Sequence, residues 1–257
     1  MSFPIFPDKH RLNALYGAGD IVRYRQQIGR MPELSAPEGI LFCLERGLPW
    51  RLRRRIPVKR AGGMNGDLYA LSKPPGKVGI MTGFGGGSPI TAELAEEFAA
   101  MGAHRMILMT WGGMLQPEMK AGDIVVIERA LRDEGTSYHY LPPAKYVEAS
   151  ISLADELVDA IDSLDGVCTR GVTWTVDAPY RETIEEIKLY QAEGVKTVEM
   201  ESAGLFTIGQ VRGLETASVV IGMDSLADLR WQVPDRLDGI MHSLELVYAA
   251  ALEVLRR

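Results

Sequence analysis

Cysteine is scarce in this chain: Cys43 and Cys168 stand far apart among 257 residues, with no CxxC pair. That excludes a disulfide scaffold, and four scattered histidines without HExxH supply no metal-ligand spacing. Both cysteines are expected to be reduced residues of a core. Positive charge is short as well, 28 Lys and Arg against 34 Asp and Glu for a net charge of −6. No nucleic-acid partner is expected, because a phosphate backbone needs a basic face. The Arg-rich run from Arg51 to Arg60 is the local exception; without aromatic interleaving beyond Trp50 it reads as a solvated or inter-subunit face. Long apolar runs are missing, none reaching the roughly 18 residues of a membrane span. The N-terminus, MSFPIFPDKH, has no basic start followed by an apolar stretch, so no membrane partner is expected and the cytoplasm is the expected location.

What is present is the composition of a globular protein, 46% hydrophobic and 24% charged, with no linker, repeat or low-complexity tract. The length suits one α/β unit, so residues 1–257 are read as a single domain. The clearest unit is VGIMTGF, a buried strand from Val78 to Phe84, followed by glycines, then Ser88 as an expected N-cap and Pro89 opening a helix that stops at Gly102. RMILMT, Arg105 to Thr110, is a second strand, followed by an expected turn through Gly112, Gly113 and Pro117. Further strands are expected at Asp123–Arg129, Val167–Val176, Val195–Met200 and Thr216–Met223. The intervening helices are expected at Ala149–Ser163 and Arg181–Glu193, from Glu201 to Gly213, and at Leu237–Leu255. The alternation predicts an α/β fold around a mixed, largely parallel sheet, with ligand at the carboxyl ends of the strands.

Four places carry possible chemistry, each with a plain structural reading beside it. GFGGGS (Gly83 to Ser88) lies between a strand and a helix, where backbone N–H groups can hold an anion or where glycines merely relieve crowding. In GAGDIVR, Gly19 and Arg23 could hold a phosphate, or simply begin a helix with Arg23 in solvent. VEMES puts Glu199 and Glu201 at the end of a buried strand, facing opposite sides if the strand alternates. Glu201 suits vicinal hydroxyls, and one of the pair could be only a charge complementing a helix dipole. Asp224 ends the strand SVVIGM, where a partly desolvated acid can protonate a leaving group or cap a turn.

Together these stretches resemble the nucleoside phosphorylase superfamily, the group of purine nucleoside phosphorylase, uridine phosphorylase and the methylthioadenosine nucleosidases, from Gly19 to about Arg236. GDIVR resembles its GDPxR phosphate loop, GFGGGSP its GxGxPS turn, and VEMESAGLF its VEMEAAxLF; Gly112 to Pro143 resembles the uridine phosphorylase branch. The resemblance implies a three-layer α/β/α fold and cleavage of the N-glycosidic bond of a nucleoside, most simply by phosphorolysis to free base and (deoxy)ribose 1-phosphate. Inorganic phosphate would be co-substrate, with no cofactor and no metal. Gly19, Arg23, Ser88 and Thr110 would serve phosphate, Met200 and Glu201 ribose, and Trp174, Tyr180 and Arg181 the base. Asp224 would be the general acid, assisted by Arg236. The family's aromatic base-stacking position is Pro179 here.

One departure concerns the phosphate wall. Where the family carries RxGTxG this chain reads LMTWGG, so Leu108 replaces a phosphate-binding Arg and Trp111 a Ser or Thr. Loss of a bidentate guanidinium costs on the order of 2 kcal/mol in anion binding, which keeps hydrolysis by a nucleosidase, or a non-catalytic nucleoside-binding homologue, as alternatives. The resemblance also implies a homo-oligomer, a dimer or a hexamer built as a trimer of dimers, with an Arg (Arg54, Arg55 or Arg60) and His10 donated between subunits.

Overall fold

A computed structural model describes residues 4–34, 36–44, 56–72 and 75–257. Among the described residues ten strands form one mixed sheet in the order β10-β6-β8-β9-β5-β1-β4-β3-β2, with the short β7 (Tyr146–Glu148) beside β6. At its centre β5 (Arg105–Met114) runs parallel to both β1 (Gly39–Cys43) and β10 (Glu215–Ser225). β10 then pairs with β6 (Ile124–Asp133), β6 with β8 (Cys168–Val176), β8 with β9 (Val195–Glu199), and β9 returns to β5. These pairings close a ring in which β9 and β10 flank the far end of β5. On the other side of β1, the sheet continues through β4 (Pro75–Thr82), β3 (Asp67–Ser72) and β2 (Val58–Gly63).

Helices cover both faces, as expected for a three-layer α/β protein. α2 (Ser88–Met101) and α5 (Ser202–Arg212) pack on the face built by Ile40, Phe42, Met106 and Leu108. Leu94 and Phe98 of α2 meet Leu205 and Phe206 of α5 there, and Phe42 sits edge-on to Phe98 with ring centroids 5.9 Å apart. α3 (Ile151–Asp162) and α6 (Asp238–Leu255) cover the opposite face, where Leu41, Ile107, Met109, Val219 and Ile221 meet Leu157, Leu244, Val247 and Leu252. Each such buried side chain contributes about 1.5–3 kcal/mol of transfer free energy. α1 (Ala18–Gln27) lies against α2, tied by an Arg25–Glu97 ion pair. α4 (Ile184–Ala192) packs through Ile187 on a smaller core with Leu131, Trp174, Val176 and Val198. No helix among the described residues is long and apolar enough to cross a membrane.

Two local expectations are corrected. β5 does not end at Thr110; it runs through Gly112 and Gly113 to Met114 because β9 and β10 supply ladder partners on both edges. Glycine there reflects close approach rather than a turn: a Cβ on Gly112 would lie 2.7 Å from the Val198 carbonyl oxygen. Ser88 is not the N-cap of α2. Gly87 takes that position with φ 103°, a backbone open mainly to glycine, and the Ser88 hydroxyl turns to another partner. Trp50, Arg54 and Arg55 lie outside the described residues, as do the expectations placed on them.

Candidate active site

The end of β5 collects the residues singled out in the sequence, and they fall into two groups. The first surrounds Glu201, the residue preceding α5. Alternation would keep residues two apart on one face; the two glutamates part because β9 ends at Glu199, which lies toward β8 and the N-terminus of α5 and accepts N–H bonds from Glu201 (2.8 Å) and Ser202 (2.7 Å) and the hydroxyl of Thr175. Glu199 is therefore the charge that complements the helix dipole. Glu201 turns the other way and is 3% exposed. Its Oε1 accepts the Gly87 N–H at 2.6 Å and its Oε2 the Thr110 hydroxyl at 2.9 Å. The glycine turn before α2 thus donates to one of the protein's own carboxyl groups. Beside it, the Ser88 hydroxyl donates to the carbonyl oxygen of half-buried Met200 at 3.0 Å. Burial drives the Glu201 carboxyl up, the nearby Glu199 charge adds to it, and the Gly87 and Thr110 bonds only partly oppose them, leaving it at about 7. Burial raises Glu199 too, against the bonds it accepts.

The second group surrounds Asp224. A bulge in β10 skips Met223 and sets Asp224 opposite Gly113, whose Cβ position would lie 3.4 Å from Asp224 Oδ1 and 3.1 Å from Val198 Cγ1. Glu201 and Asp224 thus approach one short stretch of β5, Thr110 to Gly113, from β9 on one edge and β10 on the other. They do not touch. The chain after Asp224 doubles back through a Ser225–Gln232 bridge, and the Trp231 indole N–H donates to Asp224 Oδ2. Between β8 and α4, Glu182 follows a 3-10 turn, Pro179–Arg181, and is half-buried. Its carboxyl is raised to about 7, first by burial and then by the charges of Asp224 and Glu186.

A family description, the phosphorylase superfamily, matches residues 53–255. The chain belongs to that superfamily. A uridine phosphorylase of Salmonella typhimurium is 30% identical over 158 residues, 56% of this chain and 62% of that enzyme. A guanosine phosphorylase of Halorubrum lacusprofundi is 28% identical over 172 residues, 64% of this chain and 71% of its own length. The chain therefore spans about three fifths of the length of the uridine phosphorylase it matches. A purine nucleoside phosphorylase from Toxoplasma gondii, solved in complex with immucillin-H, shares the fold with a TM-score of 0.76 at 19% identity over 87% of this chain and 91% of that one. The resemblance holds at the level of the superfamily; GFGGGSP and VEMESAGLF fall within the matched residues, and GDIVR precedes them.

Several residues stand elsewhere than a phosphorylase template suggests. Trp174 is fully buried, its indole N–H donating to Asp133 at 2.9 Å and its ring against Tyr190, so it is core and has no surface to offer a base. Ser88 is likewise buried, and its hydroxyl serves the α2–α5 joint rather than an open anion site. Thr110 directs its hydroxyl to Glu201. Arg236 pairs with Asp238 at 2.7 Å on an exposed helix start; the partner of Asp224 is Trp231. Tyr180 and Arg181 face solvent. Gly19 and Arg23 lie in the first turns of α1, where Arg23 is exposed and ion-paired with Asp20. Leu108 is core on the α2–α5 face, whereas Trp111 points to the α3–α6 face, so the two do not share a wall. Arg60 pairs with Asp67 at 2.6 Å, and His10 stands on a short 3-10 turn beside residues 137–139. Among the described residues no cluster of three or more metal-ligating side chains occurs.

Two residues went unread in the sequence: Glu182 and Trp231. The Thr183–Glu186 capping box beside Glu182 is a visible local signal. What brings Glu182 to Asp224 is tertiary. The Gln191 side-chain amide of α4 donates to the carbonyl oxygens of Leu115 (2.6 Å) and Ala227 (2.9 Å), tying α4 to β5 and to the loop after Asp224.

Proposed function

We propose that this protein cleaves the N-glycosidic bond of a nucleoside, by phosphorolysis to free base and (deoxy)ribose 1-phosphate, with a purine nucleoside as the leading substrate. The observation that carries the reading is Glu201: a buried carboxyl fixed by Gly87 and Thr110 beside Met200, at the end of the strand that Asp224 approaches from the other edge. When ionised, Glu201 accepts hydrogen bonds from sugar hydroxyls, and those bonds strengthen as the sugar gains oxocarbenium character. A phosphate oxygen attacks C1′ from the face opposite the base while the C1′–N bond breaks. Its electron pair enters the ring, which takes a proton from the acidic group at Asp224. The proton that hydrogen phosphate releases on becoming an ester restores that acid. Gly19 and Arg23 are the phosphate ligands in this reading, and the reaction calls on no metal and no organic cofactor. Tyr180 and Arg181 are the contacts offered to the base, and the working unit is a homo-oligomer in which a neighbouring copy completes the site.

Hydrolysis is the second reading, favoured by Leu108: a core leucine stands where the superfamily template has a phosphate-binding guanidinium. A nucleoside panel resolved by HPLC, with and without phosphate, separates the two. Phosphorolysis requires phosphate-dependent base release with ribose 1-phosphate as co-product. Equal release in both conditions leaves the nucleosidase, and no release from any nucleoside leaves a binding homologue.

A further inference from the structure

Trp231 combines a fixed edge with open faces. Its indole N–H donates to Asp224 Oδ2 at 2.5 Å, yet the residue is 71% exposed. A solitary apolar side chain in water signals nothing by itself. This one is held against the carboxyl at the end of β10 by a loop anchored at several points. Ser225 and Gln232 exchange N–H bonds at 2.8 and 2.9 Å, closing residues 225–232 into a fold-back. Inside it, the Leu226 N–H donates to the Met114 carbonyl oxygen at the end of β5 (2.9 Å), and the Gln191 amide of α4 donates to that of Ala227 (2.9 Å). Leu226 and Leu229 pack on the core around Trp174, and Leu229 is kept at φ 57°, a costly backbone for any residue with a side chain. These contacts fix where the indole stands and leave its faces uncovered.

Asp224 Oδ1, on the Gly113 side, accepts no hydrogen bond among the described residues. A base hydrogen-bonded to Asp224 is therefore separated from the indole nitrogen by a single carboxyl group. That puts its ring within reach of the separation, about 4.5–7 Å, at which aromatic rings pair. We propose that Trp231 seats the base of the nucleoside, its indole against the ring while its N–H holds Oδ2 and leaves Oδ1 to meet a ring nitrogen. The assignment rests on the glycosidic-cleavage reading and deepens it. Every base presents a π-face, so the contact accepts purines and pyrimidines, and the larger purine ring covers more of the indole.

Calorimetric titration of the full chain with adenine, hypoxanthine, uracil and ribose 1-phosphate, beside the KM of the nucleoside it cleaves, tests the assignment. Trp231→Ala should weaken the tightest-bound base about tenfold and raise the nucleoside KM by a similar factor, while ribose 1-phosphate changes less than about twofold. Trp231→Phe keeps a ring and should hold base affinity within about threefold of wild type. Base binding should quench the intrinsic fluorescence of the wild type, and that quench should be lost in Trp231→Phe although the base still binds, a signature that a merely structural role would not produce. An unchanged base affinity and KM in Trp231→Ala, equal weakening of ribose 1-phosphate, or a quench that persists in Trp231→Phe overturns the assignment and leaves the cleavage reading standing. If the wild-type protein cleaves no nucleoside and binds none of the bases, both fall.

Discussion

The Glu201 side and the Asp224 side of the candidate site, its sugar end and base end in the proposed reading, lie on opposite edges of one strand, yet they are built in contrasting ways. At the sugar end, Glu199, Glu201, Thr110, Thr175 and Ser88 are buried, and each makes hydrogen bonds within the protein. At the base end, Asp224 bonds to a tryptophan that is 71% exposed, Glu182 forms no hydrogen bond or ion pair among the described residues, and Tyr180 stands in solvent. A closed network fixes its carboxylate before a sugar arrives, so little reorganisation remains when the ring reacts. An open one leaves charge unmatched until a base supplies the partner. In the proposed reading, the contrast places rigidity at the sugar and adaptability at the base.

If the contrast is right, stability should depend on the sugar end. The largest effect is expected from Glu199→Ala, which leaves two helix N–H groups and the Thr175 hydroxyl unsatisfied in a buried place. Stability should fall by about 3 kcal/mol, a Tm loss of roughly 6–12 °C by calorimetry. Asp224→Ala should change stability by less than about 1 kcal/mol, and comparable losses from both variants would erase the distinction.

A middle effect concerns pH. Glu201 and Glu182 carry folded values of about 7 against an ordinary 4.5. Between those limits the folded protein holds protons that the unfolded chain has released. Their contribution is therefore complete below about 4.5 and lost as pH rises to about 7. Tm should decline across that window, and Glu201→Gln should flatten much of the decline. A Tm that rises from pH 5 to pH 7 in the wild type and is unchanged by the variant would contradict the shift. The smallest effect is expected from Trp231→Phe, which keeps a ring over Asp224 and removes one exposed N–H bond. It should cost under about 1 kcal/mol of stability, with any larger effect confined to kcat/KM.

The sugar end was legible because its information is local. VEMES lies at a strand–helix junction, and the end of β9 at Glu199 separates Glu199, which accepts the helix N–H groups, from Glu201, which turns to Gly87 and Thr110. The base end was not, because its geometry depends on contacts between distant segments. Glu182 becomes significant only through the tether of α4 to the loop after Asp224, and Trp231 only through the Ser225–Gln232 fold-back. Sequence reading also stopped β5 at Thr110, since two glycines mimic a turn unless the strands on either side are known. The resemblance offered Trp174 to the base, but its face of β8 is the one that α4 covers.

The central claim is that Glu201 grips sugar hydroxyls, and calorimetric titration with a nucleoside and its 2′,3′-dideoxy analogue tests it most directly. The wild-type protein should bind the nucleoside about tenfold or more tightly than the dideoxy compound, and Glu201→Gln should bring the two affinities together. Equal affinities in the wild type, or a preference that survives Glu201→Gln, would contradict the account.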